Sequence, residues 1–321
     1  MRILISGGTG LLGSRILELL ERDGHEVVLL VRRKLEVSNE QIIFDFNSGT
    51  GDICQKDLES IGLFIHCARL AHQEKSIDLD YQLNQRVWGT NFNGVVKLLD
   101  KFDNLEFSCD SICISSVAVY GATSGVDILA DEDCRPIDSY GASKLCAESE
   151  FTKWAQLNSR NCVVLRPPII IGGPPVGNLK KYVDAIRKRR YIHVTRNSEK
   201  SWIGLTDLAE FVCFLTRTKY ESGVFVITAK EVMKVSKLAE LIADALSTKR
   251  PLKLPDYLLN IIIICSFIPG LIIHKNPYYW RDSINKLQKS LTFKENITSS
   301  FEWCPSYSLD EAVNETLFNV K

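Results

Sequence analysis

The sequence lacks a net charge, because 39 basic residues are balanced by 39 acidic residues in a chain of 321. This balance gives no reason to expect binding to nucleic acid or to an anionic membrane, so any anion must be recognised locally. Internal repeats and low-complexity segments are also missing. With 45% hydrophobic and 24% charged residues, the composition is that of an ordinary soluble globular protein. The length suits one large domain or a large and a small one.

Cysteine spacing typical of metal sites is absent as well. The ten cysteines form no C-x-x-C pair. Cys109 and Cys113 come closest, but no His or Cys follows them at zinc-ligand spacing, so we predict no metal site. Most of the cysteines lie in apolar runs, where a thiol behaves as a small hydrophobe. This usage favours a reducing cytoplasm.

No segment has the pattern of a membrane span. The apolar run at 258–273 has 16 residues and is broken by Pro269-Gly270, whereas a span needs about 20 apolar residues. Burial is the favoured interpretation of this run, with a dimer contact or a membrane-surface contact as alternatives. The N-terminus does not resemble a signal peptide, because its first apolar run leads directly into glycines.

The chain begins with the pattern of a strand, a glycine-rich turn and a helix. Arg2–Ser6 is a short apolar run that ends at glycine, as a buried parallel strand does. Gly7, Gly10 and Gly13 follow with the spacing G-x-x-G-x-x-G, and leucines and isoleucines then recur at helical spacing. Such a turn allows the backbone to approach a pyrophosphate closely. A plain glycine turn is the alternative.

The second predicted strand, 26–31, ends at basic residues instead of an acidic one. In dinucleotide folds an acidic residue here binds the 2′-hydroxyl of the adenosine ribose, whereas arginine accommodates a 2′-phosphate. Arg32 and Arg33 therefore favour NADP(H) over NAD(H), unless they form only a solvated basic turn. Asp45, in the third predicted strand, is placed to meet the adenine.

Strands and helices alternate along most of the chain, which predicts an α/β fold with a Rossmann-type doubly wound parallel sheet. The predicted strands are 2–6, 26–31, 42–46, 63–68, 111–116, 161–166 and 223–227. We assign residues 1–167 to a dinucleotide-binding domain that the chain re-enters at about 203–228. Residues 168–202 and 229–321 are assigned to a smaller substrate-binding lobe.

Three residues have the character of a catalytic set for alcohol or ketone chemistry. Tyr140 and Lys144 are four residues apart, so on a helix they share one face. An ammonium there can lower the pKa of the phenol, which can then exchange a proton with a substrate alcohol or ketone. Ser116 ends a predicted parallel strand, at the edge where open α/β sheets bind ligands. His66 is interpreted as a core histidine.

With the glycine turn, Ser116, Tyr140 and Lys144 in that order, the chain resembles the extended short-chain dehydrogenase/reductase family over essentially its whole length. Its nucleotide-sugar epimerases, dehydratases and 4-ketoreductases look most similar. The resemblance implies Ser116, Tyr140 and Lys144 as catalytic residues. The implied cofactor-binding positions are Gly7, Thr9, Gly10, Leu11, Leu12, Gly13, Arg32, Arg33, Asp45, Cys67, Ala68, Thr90, Asn91, Tyr140, Lys144 and Pro167. The implied substrate-binding positions are Asn178, Leu179, Lys200 and Arg281.

Departures from family patterns narrow the expected reaction. The 4,6-dehydratases follow the active-site Ser or Thr with Asp-Glu, whereas Val117-Ala118 follow Ser116 here, so we expect no dehydration. Typical epimerases carry an acidic residue where Arg32 or Arg33 stands. The motifs near the C-terminus, including Trp303-Cys304-Pro305, resemble those of bacterial 4-ketoreductases of UDP-2-acetamido-6-deoxysugars.

We therefore expect NADPH-dependent reduction of a nucleotide-linked 4-keto sugar for surface polysaccharide synthesis, with a homodimer implied by the resemblance. A sugar 4-epimerase that retains NAD is the first alternative. A non-catalytic NADP-binding sensor or scaffold is the second.

Overall fold

The structure is a computed structural model that describes residues 1–70, 84–191, 193–194, 198–255 and 289–318. Its strands are β1 (Arg2–Ser6), β2 (Glu26–Val31), β3 (Gln41–Asp45), β4 (Thr50–Asp52), β5 (Ile61–His66), β6 (Asp110–Ile114), β7 (Gly125–Ile128), β8 (Cys162–Arg166), β9 (Ile169–Ile171), β10 (His193–Val194), β11 (Glu199–Lys200), β12 (Trp202–Gly204), β13 (Gly223–Val226), β14 (Met233–Lys234), β15 (Lys253–Leu254) and β16 (Leu291–Phe293). Its α-helices are α1 (Leu11–Arg22), α2 (Gln85–Trp88), α3 (Gly94–Asn104), α4 (Ser139–Leu157), α5 (Gly177–Arg187), α6 (Leu205–Leu215), α7 (Val235–Ala245), α8 (Ile297–Phe301) and α9 (Leu309–Phe318). A π-helical segment, Gly89–Asn93, joins α2 to α3, and 3-10 turns lie at Gln55–Leu58 and Val117–Tyr120.

The main sheet has eight strands in the order β13-β8-β6-β5-β1-β2-β3-β4. All of its pairs are parallel except β3 with β4, which is antiparallel. The order runs outward in both directions from β1, so the chain crosses over beside it, as in a doubly wound sheet. The predicted α/β class with a parallel Rossmann-type sheet is confirmed.

Apolar residues cover both faces of this sheet because successive side chains of a strand point to opposite sides. On one face Ile3 and Ile5 pack with residues of α1 and α6 such as Ile16 and Phe211. On the other face Leu4 packs in a cluster that includes residues of α3 and α4. These two layers fix α1 and α4, the helices that begin at the carboxyl ends of the strands.

A second, smaller sheet has four strands in the order β14-β11-β16-β7. It brings β7, which precedes α4 in the chain, next to β16 near the C-terminus. A separate apolar cluster joins α5, α7 and α9, with Val183, Leu238 and Val313 among its buried members. The division of the chain into two domains stays a prediction.

The apolar run at 258–273 lies outside the described residues. Among the residues that the structure describes, no helix is long and apolar enough to cross a membrane.

Candidate active site

A cavity of about 860 Å³ lies at the carboxyl edge of the main sheet. Its walls come from the segments that follow β1, β2, β3, β5, β6 and β8. The predicted residues that line it are Gly7, Thr9, Gly10, Leu11, Leu12, Gly13, Arg32, Arg33, Asp45, Cys67, Ala68, Thr90, Ser116, Tyr140 and Pro167. Positions scattered over 160 residues of sequence therefore meet in one space, which is what parallel strands with a common direction achieve.

The glycine turn between β1 and α1 packs too closely for any side chain at two of its glycines. Gly7 has φ 72°, and a Cβ on it would lie 2.6 Å from the backbone nitrogen of Ala68. A Cβ on Gly13 would lie 2.1 Å from the carbonyl oxygen of Gly7. Helix α1 begins with Gly10 as its N-cap, without a side-chain cap and without an acidic residue in its first turn. Its N-terminal N–H groups and dipole therefore face the cavity as an anion site.

Basic side chains line the end of the cavity beside β2. Arg32 and Arg33 are both exposed at this end. Arg86, on α2, also lines the cavity and was not predicted from the sequence. Asp45 is the acidic residue that shares the lining, and its carboxylate accepts a hydrogen bond from the backbone N–H of Asn47 at 2.9 Å. The charge of this end is therefore mostly positive.

The second motif lies at the start of α4, where Asp138 forms the N-cap by accepting a hydrogen bond from Gly141 N–H at 2.8 Å. Tyr140 is only 6% exposed, and its side chain lines the cavity. Lys144, one turn further along, is 0% exposed. Its Nζ has no hydrogen-bond partner among the described residues. Burial of an ammonium without a hydrogen-bond partner costs free energy. This position therefore suits a ligand that accepts a hydrogen bond from Lys144 Nζ.

Ser116 follows β6 and caps the 3-10 turn at Val117–Tyr120. Its Oγ accepts a hydrogen bond from Ala118 N–H at 3.2 Å, while the residue lines the same cavity as Tyr140. The hydroxyl proton is not used in that bond. Ser116 can therefore still donate to an oxygen placed in the cavity.

Arg69 adds a cation that sequence reasoning missed. It follows β5 by three residues, and its Nη1 donates a hydrogen bond to Tyr140 Oη at 3.3 Å. The guanidinium is exposed and lines the cavity. Its position just beyond a parallel strand, at the ligand-binding edge, was the available sequence signal.

Asn91, predicted to bind the cofactor, lies beside the cavity lining and not in it. It is 0% exposed, does not line the cavity, and lies in the π-helical segment. Its side-chain amide accepts from Leu70 N–H at 2.7 Å and donates to Leu70 carbonyl oxygen at 3.1 Å and to Ser143 Oγ at 3.2 Å. The amide thus joins the segment after β5 to α4. Insertions of this kind in helices are frequent at functional sites.

Below the cavity, a buried ion pair joins α4 to β8. Arg166 and Glu148 approach to 2.7 Å with side chains 7% and 5% exposed. Arg166 also donates to Tyr120 Oη at 2.9 Å, and Ser115 Oγ donates to Glu148. The network fixes the strand end before Ser116 relative to the helix that carries Tyr140. This network could not be predicted from the sequence, because no local motif links Glu148 to Arg166.

His66 and Cys67 are uncharged neighbours of Lys144. Ser6 Oγ and His66 Nδ1 are 2.8 Å apart, as expected for a hydrogen-bonded core histidine. Burial, followed by the charge of Lys144, holds the pKa of His66 well below its ordinary value. Burial raises the pKa of Cys67 to about 12, so this thiol stays protonated.

The residues predicted to bind substrate lie away from this cavity or outside the described part. Leu179 packs against the apolar cluster of α5, α7 and α9. Lys200 Nζ donates to the carbonyl oxygen of Lys289 at 2.8 Å, and burial lowers the pKa of Lys200. Neither residue lines the cavity. The side chain of Asn178 and all of Arg281 lie outside the described residues.

Comparison with known proteins identifies the family. The model of the NAD dependent epimerase/dehydratase family matches residues 3–228, which is more than half of the chain. The chain belongs to this family. A UDP-glucose 4-epimerase of Vibrio cholerae is 23% identical over 329 residues, covering 98% of this chain and 94% of the relative.

Two solved structures share the fold. The UDP-glucuronic acid 4-epimerase of Bacillus cereus, in complex with NAD, matches with a TM-score of 0.73 at 16% identity, covering 100% of this chain and 99% of that one. The RMD protein of Pseudomonas aeruginosa, complexed with NADPH, matches with a TM-score of 0.69 at 18% identity, covering 99% and 98%.

The site fits the nicotinamide dinucleotide that the family uses. The uncapped start of α1 suits the pyrophosphate, and the unpartnered Nζ of Lys144 suits ribose hydroxyls. Among the described residues, no group of three or more His, Cys, Asp or Glu side chains could hold a metal ion, and each described cysteine is a free thiol.

Replacing Gly13 tests the close packing of the glycine turn. In Gly13→Ala the new Cβ would meet the Gly7 carbonyl oxygen at 2.1 Å, so the turn must shift. We expect a stability loss of about 1–3 kcal/mol, as for other overpacked sites, and NADPH binding at least about tenfold weaker because the pyrophosphate N–H groups move. Urea denaturation and fluorescence titration with NADPH measure the two effects. Gly62→Ala is the matched control, because its Cβ would meet Met1 at an ordinary 3.5 Å; equal effects of both changes would contradict the packing argument.

Proposed function

We propose that this protein is an NADPH-dependent reductase of a keto group on a nucleotide-linked sugar. The observation that carries the proposal is the position of Tyr140 and Ser116 on one cavity, with the buried, unpartnered Lys144 one turn from Tyr140. A phenol and a hydroxyl beside a dinucleotide cradle suit proton transfer at an alcohol carbon. The family supplies the coarser statement, an NAD(P)-dependent enzyme that modifies nucleotide sugars.

Each residue has a distinct role in this mechanism. When bound, NADPH would supply the hydride that reduces the carbonyl carbon. Tyr140 donates the proton to the carbonyl oxygen, and Ser116 donates a hydrogen bond to the same oxygen. Lys144, whose buried Nζ has no hydrogen-bond partner among the described residues, would hold the ribose.

The preference for NADPH rests on the basic end of the cavity. Arg32 and Arg33 follow β2 directly, where a 2′-phosphate would lie, and no acidic residue follows that strand before Glu36. Asp45 belongs to the neighbouring strand β3 and fits the adenine side. Among the solved structures of the same fold, the Pseudomonas protein contains NADPH and the Bacillus protein contains NAD, so the fold accommodates both nucleotides.

A 4-epimerase is the second candidate, and the Vibrio relative favours it because its match covers nearly the whole of both chains. It would use the same Tyr140, Ser116 and Lys144 with a retained NAD. Dehydration is not proposed, because Val117-Ala118 occupy the positions where an acid and a base would be needed. A sensor or scaffold would not need the complete catalytic set.

The deciding experiment offers the purified protein a panel of UDP-linked and dTDP-linked 4-keto sugars with NADPH. Consumption of NADPH, measured as loss of its absorbance, would support the reductase. We infer that the preferred substrate is a UDP-2-acetamido-6-deoxyhexose and that the reaction serves surface polysaccharide synthesis. Redox-neutral interconversion of UDP-sugars with protein-bound NAD would establish the epimerase instead. Cofactor binding without turnover of any sugar would favour the alternative of a non-catalytic sensor or scaffold. The homodimer is still a prediction, which a measurement of the mass in solution would test.

The basic end is tested by Arg32→Ala together with Arg33→Ala. We expect the Kd for NADPH to rise by about tenfold or more, since each charge-assisted hydrogen bond contributes about 1.5–3 kcal/mol, while the Kd for NADH changes little. Fluorescence titration with both nucleotides gives the ratio. Lys34→Ala is the control, because Lys34 is exposed but does not line the cavity. An unchanged ratio in the double variant would contradict recognition of a 2′-phosphate.

A further inference from the structure

Arg69 lines the cavity and contacts the hydroxyl of Tyr140, whereas Lys144 is buried and does not line the cavity. We propose that Arg69 is a positioning residue for proton transfer: it orients the hydroxyl of Tyr140 and stabilises the phenolate that remains after the proton has left. This role rests on the proposed function, because it concerns the same proton. It adds a second cation to the pair that the sequence motif contains.

The direction of the hydrogen bond determines where the phenol proton points. An arginine side chain has five N–H donors and no acceptor, so in the 3.3 Å contact Nη1 donates and Tyr140 Oη accepts. The hydrogen of the phenol is therefore directed to another acceptor. Arg69 and Tyr140 both line the cavity in which the proposed substrate would bind.

Tyr140 is surrounded by ionisable groups of both signs. The surrounding elements carry these ionisable groups: Asp138 and Lys144 on α4, His66, Cys67 and Arg69 at the end of β5, and the mutually paired Glu148 and Arg166 between α4 and β8. His66 and Cys67 are uncharged, because burial lowers the pKa of the first and raises the pKa of the second. Asp138 is bound to the N-terminus of α4, whose dipole offsets its charge.

Arg69 and Lys144 have separate tasks in this arrangement. Lys144 is fully buried and absent from the cavity lining. Arg69 is exposed to the cavity, and among the described residues no carboxylate forms an ion pair with it. Its charge is therefore available to Tyr140. A guanidinium also stays charged at every pH at which proteins are folded.

The proton step is balanced without any further reactant. The O–H bond of Tyr140 breaks, an O–H bond forms on the carbonyl oxygen of the sugar, and negative charge passes to Tyr140 Oη. The electrons that reduce the carbonyl carbon are those of the hydride from NADPH. A proton from solvent restores the phenol before the next turnover.

The test is a titration of Tyr140 in the cofactor-free protein, measured as the phenolate absorbance that is lost in Tyr140→Phe. In Arg69→Gln we expect this titration to move upward by about one pH unit or more, because an opposite charge within hydrogen-bonding distance favours the ionised form by that amount. Arg69→Met, which keeps most of the apolar stem, serves if the glutamine variant does not fold. Arg69→Lys should restore part of the shift. Arg33→Gln, at the other end of the cavity, is the matched control and should leave the titration of Tyr140 unmoved.

An unmoved titration in Arg69→Gln or Arg69→Met would overturn the proposal. A raised KM for the sugar without a shifted titration would also overturn it, since Arg69 would then bind substrate instead of acting through Tyr140. The titration needs neither sugar nor NADPH, so its failure counts against Arg69 alone. Failure of the proposed function would appear separately, as absence of turnover with all the sugars of the panel.

Discussion

Tyr140→Phe is expected to lower kcat by about 10²–10⁴-fold, the contribution usual for a general acid or base. The reason is that phenylalanine keeps the ring in its buried site but removes the hydroxyl that lines the cavity. The Kd for NADPH should stay within about twofold, because the glycine turn and the basic end are untouched. Stopped-flow or steady-state loss of NADPH absorbance with the active sugar measures the first quantity, and fluorescence titration the second.

The control for this change is Tyr220→Phe, which also removes one phenolic oxygen from a partly buried ring. Tyr220 packs against the core cluster under α1 and α6 and does not line the cavity. It should leave kcat and KM unchanged. If Tyr140→Phe kept wild-type turnover, or if both variants lost activity equally, Tyr140 would not be the proton donor.

The second large effect is expected at the buried pair of Glu148 and Arg166. Glu148→Leu leaves a guanidinium buried without its carboxylate, and Arg166→Met leaves the carboxylate without its cation. Each single change should cost about 3–5 kcal/mol of unfolding free energy, which is a large part of the total of about 5–15 kcal/mol typical of a domain. The urea midpoint, with the slope as a check on two-state unfolding, measures the loss.

The double variant Glu148→Leu with Arg166→Met separates pairing from simple packing. Because no unpaired charge remains, it should lose clearly less stability than either single variant. Tyr120 Oη would still have a partner, as it donates to the carbonyl oxygen of Ala130 at 2.9 Å. Asp133→Asn is the surface control, since Asp133 and Arg135 pair with side chains 78% and 80% exposed and should contribute almost nothing. Additive losses in the double variant would contradict the account.

The sequence predicted the main sheet well because its strands are continuous apolar runs. β1 and β2 have the predicted bounds, and the other predicted strands differ by one to a few residues at their ends. Periodicity does not reveal the π-helical segment Gly89–Asn93 that joins α2 to α3.

The smaller sheet could not be predicted, since its strands have only two to four residues. Strands this short carry no periodic signal, and they form only because segments distant in sequence meet. The same reason explains which parts of the candidate site could be predicted and which could not. Tyr140, Lys144 and Ser116 belong to local motifs, whereas the contact of Arg69 with Tyr140 and the pair of Glu148 with Arg166 depend on tertiary structure. Lys200 was assigned from resemblance alone, and here its ammonium binds the carbonyl oxygen of Lys289.

The pairing of β7 with β16 bears on the order in which the enzyme matures during its synthesis. β7 lies between Ser116 and Tyr140, and it is held by a strand that leaves the ribosome some 165 residues later, as the bond from Asp127 N–H to Thr292 Oγ1 at 2.8 Å illustrates. Chains fold largely from the N-terminus as they are made. The glycine turn and the basic end of the cavity can therefore form on the nascent chain before the segment between Ser116 and Tyr140 is anchored. The ability to bind a nicotinamide dinucleotide would then precede the ability to modify a nucleotide sugar, which would arise only when β16 has been made.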